Sequence, residues 1–418
     1  MAGISTCRIA HSAERIGADS FALQTFTETS KWVDLLNALA CYVTFLRDKI
    51  PDFSGVGYLE GADLPSTTEL GGALVELEHA AGDQTARIQA ALDALADGPV
   101  DAVTGFRGAL RLGAGTWDVS ETLVLDASGV VLQGAAGNDA TVVRARETGV
   151  FAEGVASGAP VLLVAGAAAG QSHGPPVRIA APRGARVPVG SREVPVVDAA
   201  SFVVGEEVLV QHTPNAAWIA AIGMDDIQFC YEGCSHWTAP SHRMSYYREI
   251  TAISGNTLTL NLPLTQAIAD EYGGGSVYKY AHAGRISKAG VRDLTFVSAF
   301  SDGPEDETHA WSAVHFTEIR HGFAENVRCW HFGGNCVGVL RHAHHITVKD
   351  CHSQQMISKI TGGRRYSFFI SGSSNLVEGC TAESGRHDFT TGSRVAGPNV
   401  FRDCHATNAF GDIGPHHR

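Results

Sequence analysis

The chain has 418 residues, 47 of them glycine, with 18% charged side chains and a formal net charge of −13. That length suits two domains or one long solenoid, and the negative balance disfavours general nucleic-acid binding while leaving room for a local basic groove. No apolar run reaches the roughly 18 to 20 residues that span a bilayer, so no membrane-spanning helix is expected.

The opening stretch from Met1 to Phe21 lacks a basic region followed by an apolar core, the mark of a secretory leader. Localisation is therefore open, extracellular or periplasmic if a leader has been removed. Trp32, Leu35, Leu36, Leu39, Val43 and Leu46 recur at helical steps until Pro51 stops them. Packing is the simplest use of that amphipathic face, and oligomer contact is the other. A second helix is predicted over about Thr67 to Leu95, and residues 1–82 are read as an N-terminal helical segment.

From Asp83 the character changes. Ala90 to Leu95 reads as helix, Gly113-Ala114-Gly115-Thr116-Trp117 as a turn entering a strand, and Val131-Leu132-Gln133-Gly134 as a strand ending in a turn. This succession resembles the opening of pectate-lyase-like proteins, the pectin lyase fold, in which a helix caps the first coil. The resemblance implies an all-β, right-handed parallel β-helix over residues 83 to 418. By itself it implies no chemistry, because one fold hosts many functions.

Residues 83–186 are read as the start of the β-helix, and 187–283 break the coil rhythm. Phe202 to Val210 and Asn256 to Asn261 read as strands of a β-rich insertion. Trp218, Phe229, Tyr231, Trp237, Tyr246 and Tyr247 accompany them, and suit either a small β core or planes on which sugar rings stack.

Regular coils are expected over 284–418. Val291-Arg292-Asp293-Leu294, Val327-Arg328-Cys329, Val348-Lys349-Asp350-Cys351, Val377-Glu378-Gly379-Cys380 and Phe401-Arg402-Asp403-Cys404 share one pattern. Their cysteines are spaced by 22 (351 − 329), 29 (380 − 351) and 24 (404 − 380) residues, a solenoid period. Stacked thiols behave as small buried hydrophobes, and an odd total of nine cysteines favours free thiols over a disulfide framework. The chain stops at Arg418 without a polar cap, so a longer natural chain or a second copy covering that end is expected.

Aligning the coils brings Val314 to Glu318, Cys336 to Leu340, Ser367 to Ser371 and Asp388 to Gly392 into register. Alternation then points Val337, Phe368, Ile370 and Phe389 inward, and Ser367, Ser371, Asp388 and Thr390 outward. Basic clusters precede two of these strands, Arg364-Arg365-Tyr366 and Arg386-His387-Asp388, and His416-His417-Arg418 follows. Stacked cations repel unless an anion lies among them, and arginine pairs well with carboxylates. The expected partner is therefore an acidic polysaccharide; solvated turn charges paired with Asp388, Asp403 and Asp412 are the plainer reading.

Three chemistries fit. For β-elimination from a uronate, a cation or Ca²⁺ must acidify the α-proton and a base must take it. Lyases of this fold use Lys or Arg, often with Ca²⁺, and the resemblance carries that role by residue type alone to Lys359, Arg364, Arg365, Arg386 and Arg394. Tyr366 and His387 are further base candidates. Lys359, Tyr366, Arg386, His387 and Asp388 are thus the candidate catalytic groups, with Arg364, Arg365, Arg394, His416 and His417 binding substrate. Glycoside hydrolysis needs two facing carboxyls, for which Asp388 offers one and Glu318, Glu383, Asp403 or Asp412 a second; Asp225-Asp226 is a weaker match. A metal site at His342, His344 and His345 is the third idea, and the acidic loop Ser301 to Glu307 is a solvated loop or a weak Ca²⁺ ligand. A non-catalytic surface or assembly protein competes with all three.

Overall fold

A computed structural model describes residues 48–135, 140–181, 186–227 and 236–410. The predicted helix at Trp32 to Leu46, and Phe229, Tyr231, Asp412, His416 and His417, lie outside the described residues.

The chain winds into a parallel β-helix with three faces. The first sheet stacks eight parallel strands, Ala73–Leu77, Gly108–Leu112, Val130–Gly134, Gly290–Arg292, Phe323–Glu325, Thr347–Lys349, Leu376–Glu378 and Val400–Arg402. The second stacks seven, ending in Arg328–Trp330, His352–Gln354, Thr381–Glu383 and His405–Thr407. The third stacks six, ending in Ser312–Thr317, Asn335–Val339, Phe368–Ile370 and Phe389–Thr391. Each coil visits the sheets in that order. Helix Thr85–Ala96 buries Ile88, Leu92 and Leu95 against the first coil.

The predicted second helix divides. Its first part is the strand Ala73–Leu77, preceded by Gly71 and Gly72 at φ of 61° and 64°, which end any helix there. Val75 and Leu77 then pack on the core while Glu76 turns out to Arg111.

The turn from the first sheet to the second repeats one residue geometry. Asp293, Asn326, Asp350, Gly379 and Asp403 all adopt a left-handed backbone, φ between 51° and 62°, a conformation for which Asn, Asp and Gly are the residues enriched. The residue after each points inward, forming the ladder Leu294, Val327, Cys351, Cys380 and Cys404.

This register corrects the cysteine reading. Cys329 lies two residues beyond the ladder position held by Val327, and it forms a disulfide with Cys336. The two residues flank a short corner with their Cα atoms 5.4 Å apart, inside the span a disulfide bridges. In the next coils the position of Cys336 is taken by Ser367 and then Asp388. Cys351, Cys380 and Cys404 are free thiols.

The insertion forms an antiparallel sheet, Glu193–Pro195, Thr257–Leu260, Met244–Ser254, Glu207–His212, Gly275–His282 and Gln171–His173, in that spatial order. Val194, Val208, Val210, Tyr246 and Leu258 give it a core separate from that of the coils.

Candidate functional site

In the third sheet Val314, Val337, Phe368 and Phe389 stack inward as parity predicts; the rings of Phe368 and Phe389 lie 5.1 Å apart. The outward column therefore carries His315, Gly338, Phe369 and Thr390. Over its later coils the insertion leaves a cleft of about 690 Å³. Trp218, Trp237 and His242 form the insertion's side, and Tyr366, Phe369, His387, Thr390 and Arg394 the coil side. Trp237 stacks on His242 at 4.0 Å, and Tyr366 on Phe369 at 6.1 Å.

The two basic clusters do stack coil on coil. Arg386 and His387 donate their backbone N–H groups to the Arg365 carbonyl, and the rings of Tyr366 and His387 are 5.3 Å apart. Yet the cations divide between different tasks. Arg364 makes a paired bond to Glu307, whose carboxyl it holds below the usual range, and Lys359 Nζ lies 3.7 Å from the same carboxylate. Arg365 is buried and donates to the carbonyls of Ser358 at 2.5 Å and of Ser384 and Pro304 at 3.4 Å. Arg386 is also buried, and its Nη1 donates to Tyr366 Oη at 3.3 Å. Arg394 lines the cleft and donates to the Ser241 carbonyl of the insertion. The cleft thus gathers Tyr366, His387 and Arg394, with Arg386 behind Tyr366, while Lys359, Arg364 and Arg365 serve the loop around Glu307.

Ser367 and Asp388 were expected to face out and are buried instead, at 0% and 5% exposure. They stand at the strand entrances, where the chain still bends, so strict alternation does not reach them. Ser367 Oγ donates to Asp388 Oδ1 at 2.7 Å, and Oδ2 has no partner. Burial pushes the Asp388 carboxyl up, against the opposing Ser367 bond.

None of Asp388, Glu318, Glu383, Asp403, Asp225 and Asp226 lines the cleft, and no other carboxylate does among the described residues. In the acidic loop Asp302 and Glu305 are exposed and Asp306 is buried. Burial works against ionisation of Asp306, but bonds from Thr308, Asp302 and Ser301 outweigh it and hold its carboxyl at about 2. Among the described residues no group of three His, Cys, Asp or Glu is placed to hold a metal ion. His344 and His345 are buried, which keeps both imidazoles well below their usual titration range.

Sequence reasoning missed the cleft's Phe369, Met244 and Gln266. Parity alone assigns Phe369 outward, so that signal was available; the other two depend on how the insertion folds over.

No family model matches the chain, and no curated protein does. Among solved structures it is similar to the tailspike protein gp49 from Pseudomonas phage LKA1, with 16% identity and a TM-score of 0.46, over 78% of this chain and 44% of that one. It is also similar to the iota-carrageenase of family GH82 from A. fortis, with 8% identity and a TM-score of 0.35, over 80% and 49%. A third is the Streptococcus pneumoniae surface protein and adhesin PfbA, with 10% identity and a TM-score of 0.35, over 81% and 60%. The chain spans about half the length of these proteins. The likeness is one of fold alone, and the coil architecture is the one that the pectate-lyase-like resemblance implied. No helix among the described residues is long and apolar enough to cross a membrane.

Proposed function

We propose that the protein is carbohydrate-active and that its cleft takes an acidic polysaccharide and cleaves it by β-elimination. The observation that carries this reading is the composition of the wall: Tyr366, His387 and Arg394 beside aromatic planes, with no carboxylate among the described lining residues. Such a wall does not repel a uronate, and it lacks the facing carboxyl pair that hydrolysis needs. Apolar sugar faces lie against Trp218, Trp237 and Phe369, as aromatic planes allow.

In this scheme a guanidinium pairs with the uronate carboxylate and stabilises the charge that develops when the α-proton leaves. Tyr366 Oη, which accepts a bond from Arg386, takes that proton as phenolate. The C–H electron pair becomes the new C=C bond, and the C–O bond to the leaving sugar breaks. His387 gives the departing oxygen its proton. A Ca²⁺ ion takes roughly six to eight oxygen ligands, carboxylates foremost. The described lining does not fit it, so charge neutralisation falls to arginine.

Ultraviolet absorbance of the unsaturated product, measured over a panel of uronate polymers, tests the proposal. Product from one or more of them is expected. Absence of product from all of them removes the elimination, and binding without turnover would favour a surface-attachment protein.

A further inference from the structure

A second junction between insertion and coils holds a small cavity of about 20 Å³, the room of one water-sized particle, for which roughly 10 to 15 Å³ suffices. Tyr247, Arg248 and Tyr280 reach it from the insertion, and Arg320, His344 and His345 from the corners of the coils. Four buried atoms of these residues have no hydrogen-bond partner: Tyr280 Oη, Arg320 Nε, His344 Nε2 and His345 Nδ1. Tyr280, His344 and His345 are each more than nine-tenths buried, so bulk water does not serve them.

All four atoms are able to donate. The Arg320 Nε–H can do nothing else, and the tyrosine hydroxyl carries one proton. His344 Nδ1 lies 3.1 Å from Ser373 Oγ; when that hydroxyl donates, the imidazole proton resides on Nε2. The obvious acceptor nearby is already used: Glu207 receives Arg285 at 2.6 and 2.7 Å and Arg320 at 2.8 Å. Around the cavity stand three guanidiniums, Arg248, Arg285 and Arg320, and two carboxylates, Glu207 and Glu249, while Glu60 meets Arg320 at 3.3 Å from outside it.

Leaving four buried donors unserved is costly. A water molecule accepts two hydrogen bonds and must place its own two protons as well. A monatomic anion accepts from every side, places none, and lies among three guanidiniums. We propose that this cavity is a binding site for one halide ion, which fastens the insertion to the coils. Room for about one small particle suits a monatomic ion better than sulfate, phosphate or a carboxylate. Because the insertion carries Trp218 and Trp237, the ion also fixes the wall of the cleft, although the site stands whether or not the cleft is catalytic.

The test uses the full chain at constant ionic strength, with sodium gluconate replaced stepwise by sodium chloride, bromide or sulfate. Thermal unfolding should shift upward, saturably, with chloride and bromide and not with sulfate. Crystals grown in bromide should give an anomalous peak in the cavity within bonding distance of Tyr280 Oη and Arg320 Nε. Tyr280→Phe keeps the ring and removes one donor, and should raise the halide midpoint about tenfold. Equal unfolding temperatures in all the salts overturn the proposal. So does a bromide crystal with water alone in the cavity, including one obtained despite a halide-dependent shift. Should Tyr280→Phe not fold, the bromide map of the unmodified protein decides.

Discussion

At the cleft the insertion and the coils stand apart, faced with rings and hydroxyls; at the cavity beside Arg320 they are drawn together by interlocked charges. Both junctions are built from the same two bodies. The difference lies in where the arginines find carboxylates. At the cavity Glu207 takes Arg285 and Arg320, so the bodies close to a water-sized gap. At the cleft no described carboxylate faces Arg394 or Tyr366, and room for a ligand remains. A surface that sets no carboxylate against its cations is the one free to take a charged guest.

The contrast breaks most sharply at Glu207. Replacing it by Ala strands Arg285, which is mostly buried, leaves Arg320 only its longer contacts to Glu60 and Glu249, and should cost about 3 kcal/mol or more in chemical denaturation. A variant as stable as the parent would mean that the ionic junction is not what holds the insertion. Tyr366→Phe should act oppositely, lowering turnover about a hundredfold or more with an unchanged unfolding temperature. Retained activity would remove Tyr366 as the base. Gly385→Ala comes next: its Cβ would lie 1.8 Å from Asp388 Oδ1, so the carboxyl must move, at about 1 to 3 kcal/mol.

Asp388 adds a pH test. Its carboxyl is raised by burial, so its contribution is fully present below the unfolded titration range of an aspartate and is lost as pH rises through the higher folded value. Asp388→Asn should flatten that decline, seen as a smaller loss of stability between acidic and neutral pH. A parallel decline in both proteins would place the slope elsewhere. The smallest effect is expected at Arg178→Ala, whose pair with Asp270 is exposed on both sides; a change below about 1 kcal/mol is expected, and a larger one would upset the division between buried and exposed pairs.

The coils were largely legible because their signals are local. Asp293, Asp350, Gly379 and Asp403 mark corners by their own backbone preference, and alternation assigned Phe368, Ile370 and Val337 to the interior. Cys329 misled because a shared residue type was taken for a shared position; the corner residue Asn326 gives the true register. The site was less legible. Arg364 and Arg386 each follow a glycine in their clusters, yet one meets Glu307, 57 positions away, and the other Tyr366, 20 positions away on the neighbouring coil, and local sequence shows neither pairing. The histidines at 342, 344 and 345 suggested a metal for the same reason: spacing shows that they are close, not that a buried tyrosine and three arginines surround two of them.

From Gly290 onward the left-handed corner between the first and second sheets takes two residues, such as 326–327, 350–351 and 379–380. The path from the second sheet to the third takes four residues between Trp330 and Asn335 but thirteen between Gln354 and Phe368. The molecule is therefore bound like a book, stitched along one spine and trimmed freely at the opposite margin. Within that margin residues 359–363 are exposed and can be rewritten without loosening the coils, whereas Arg365 and Ser367 at its far end are buried.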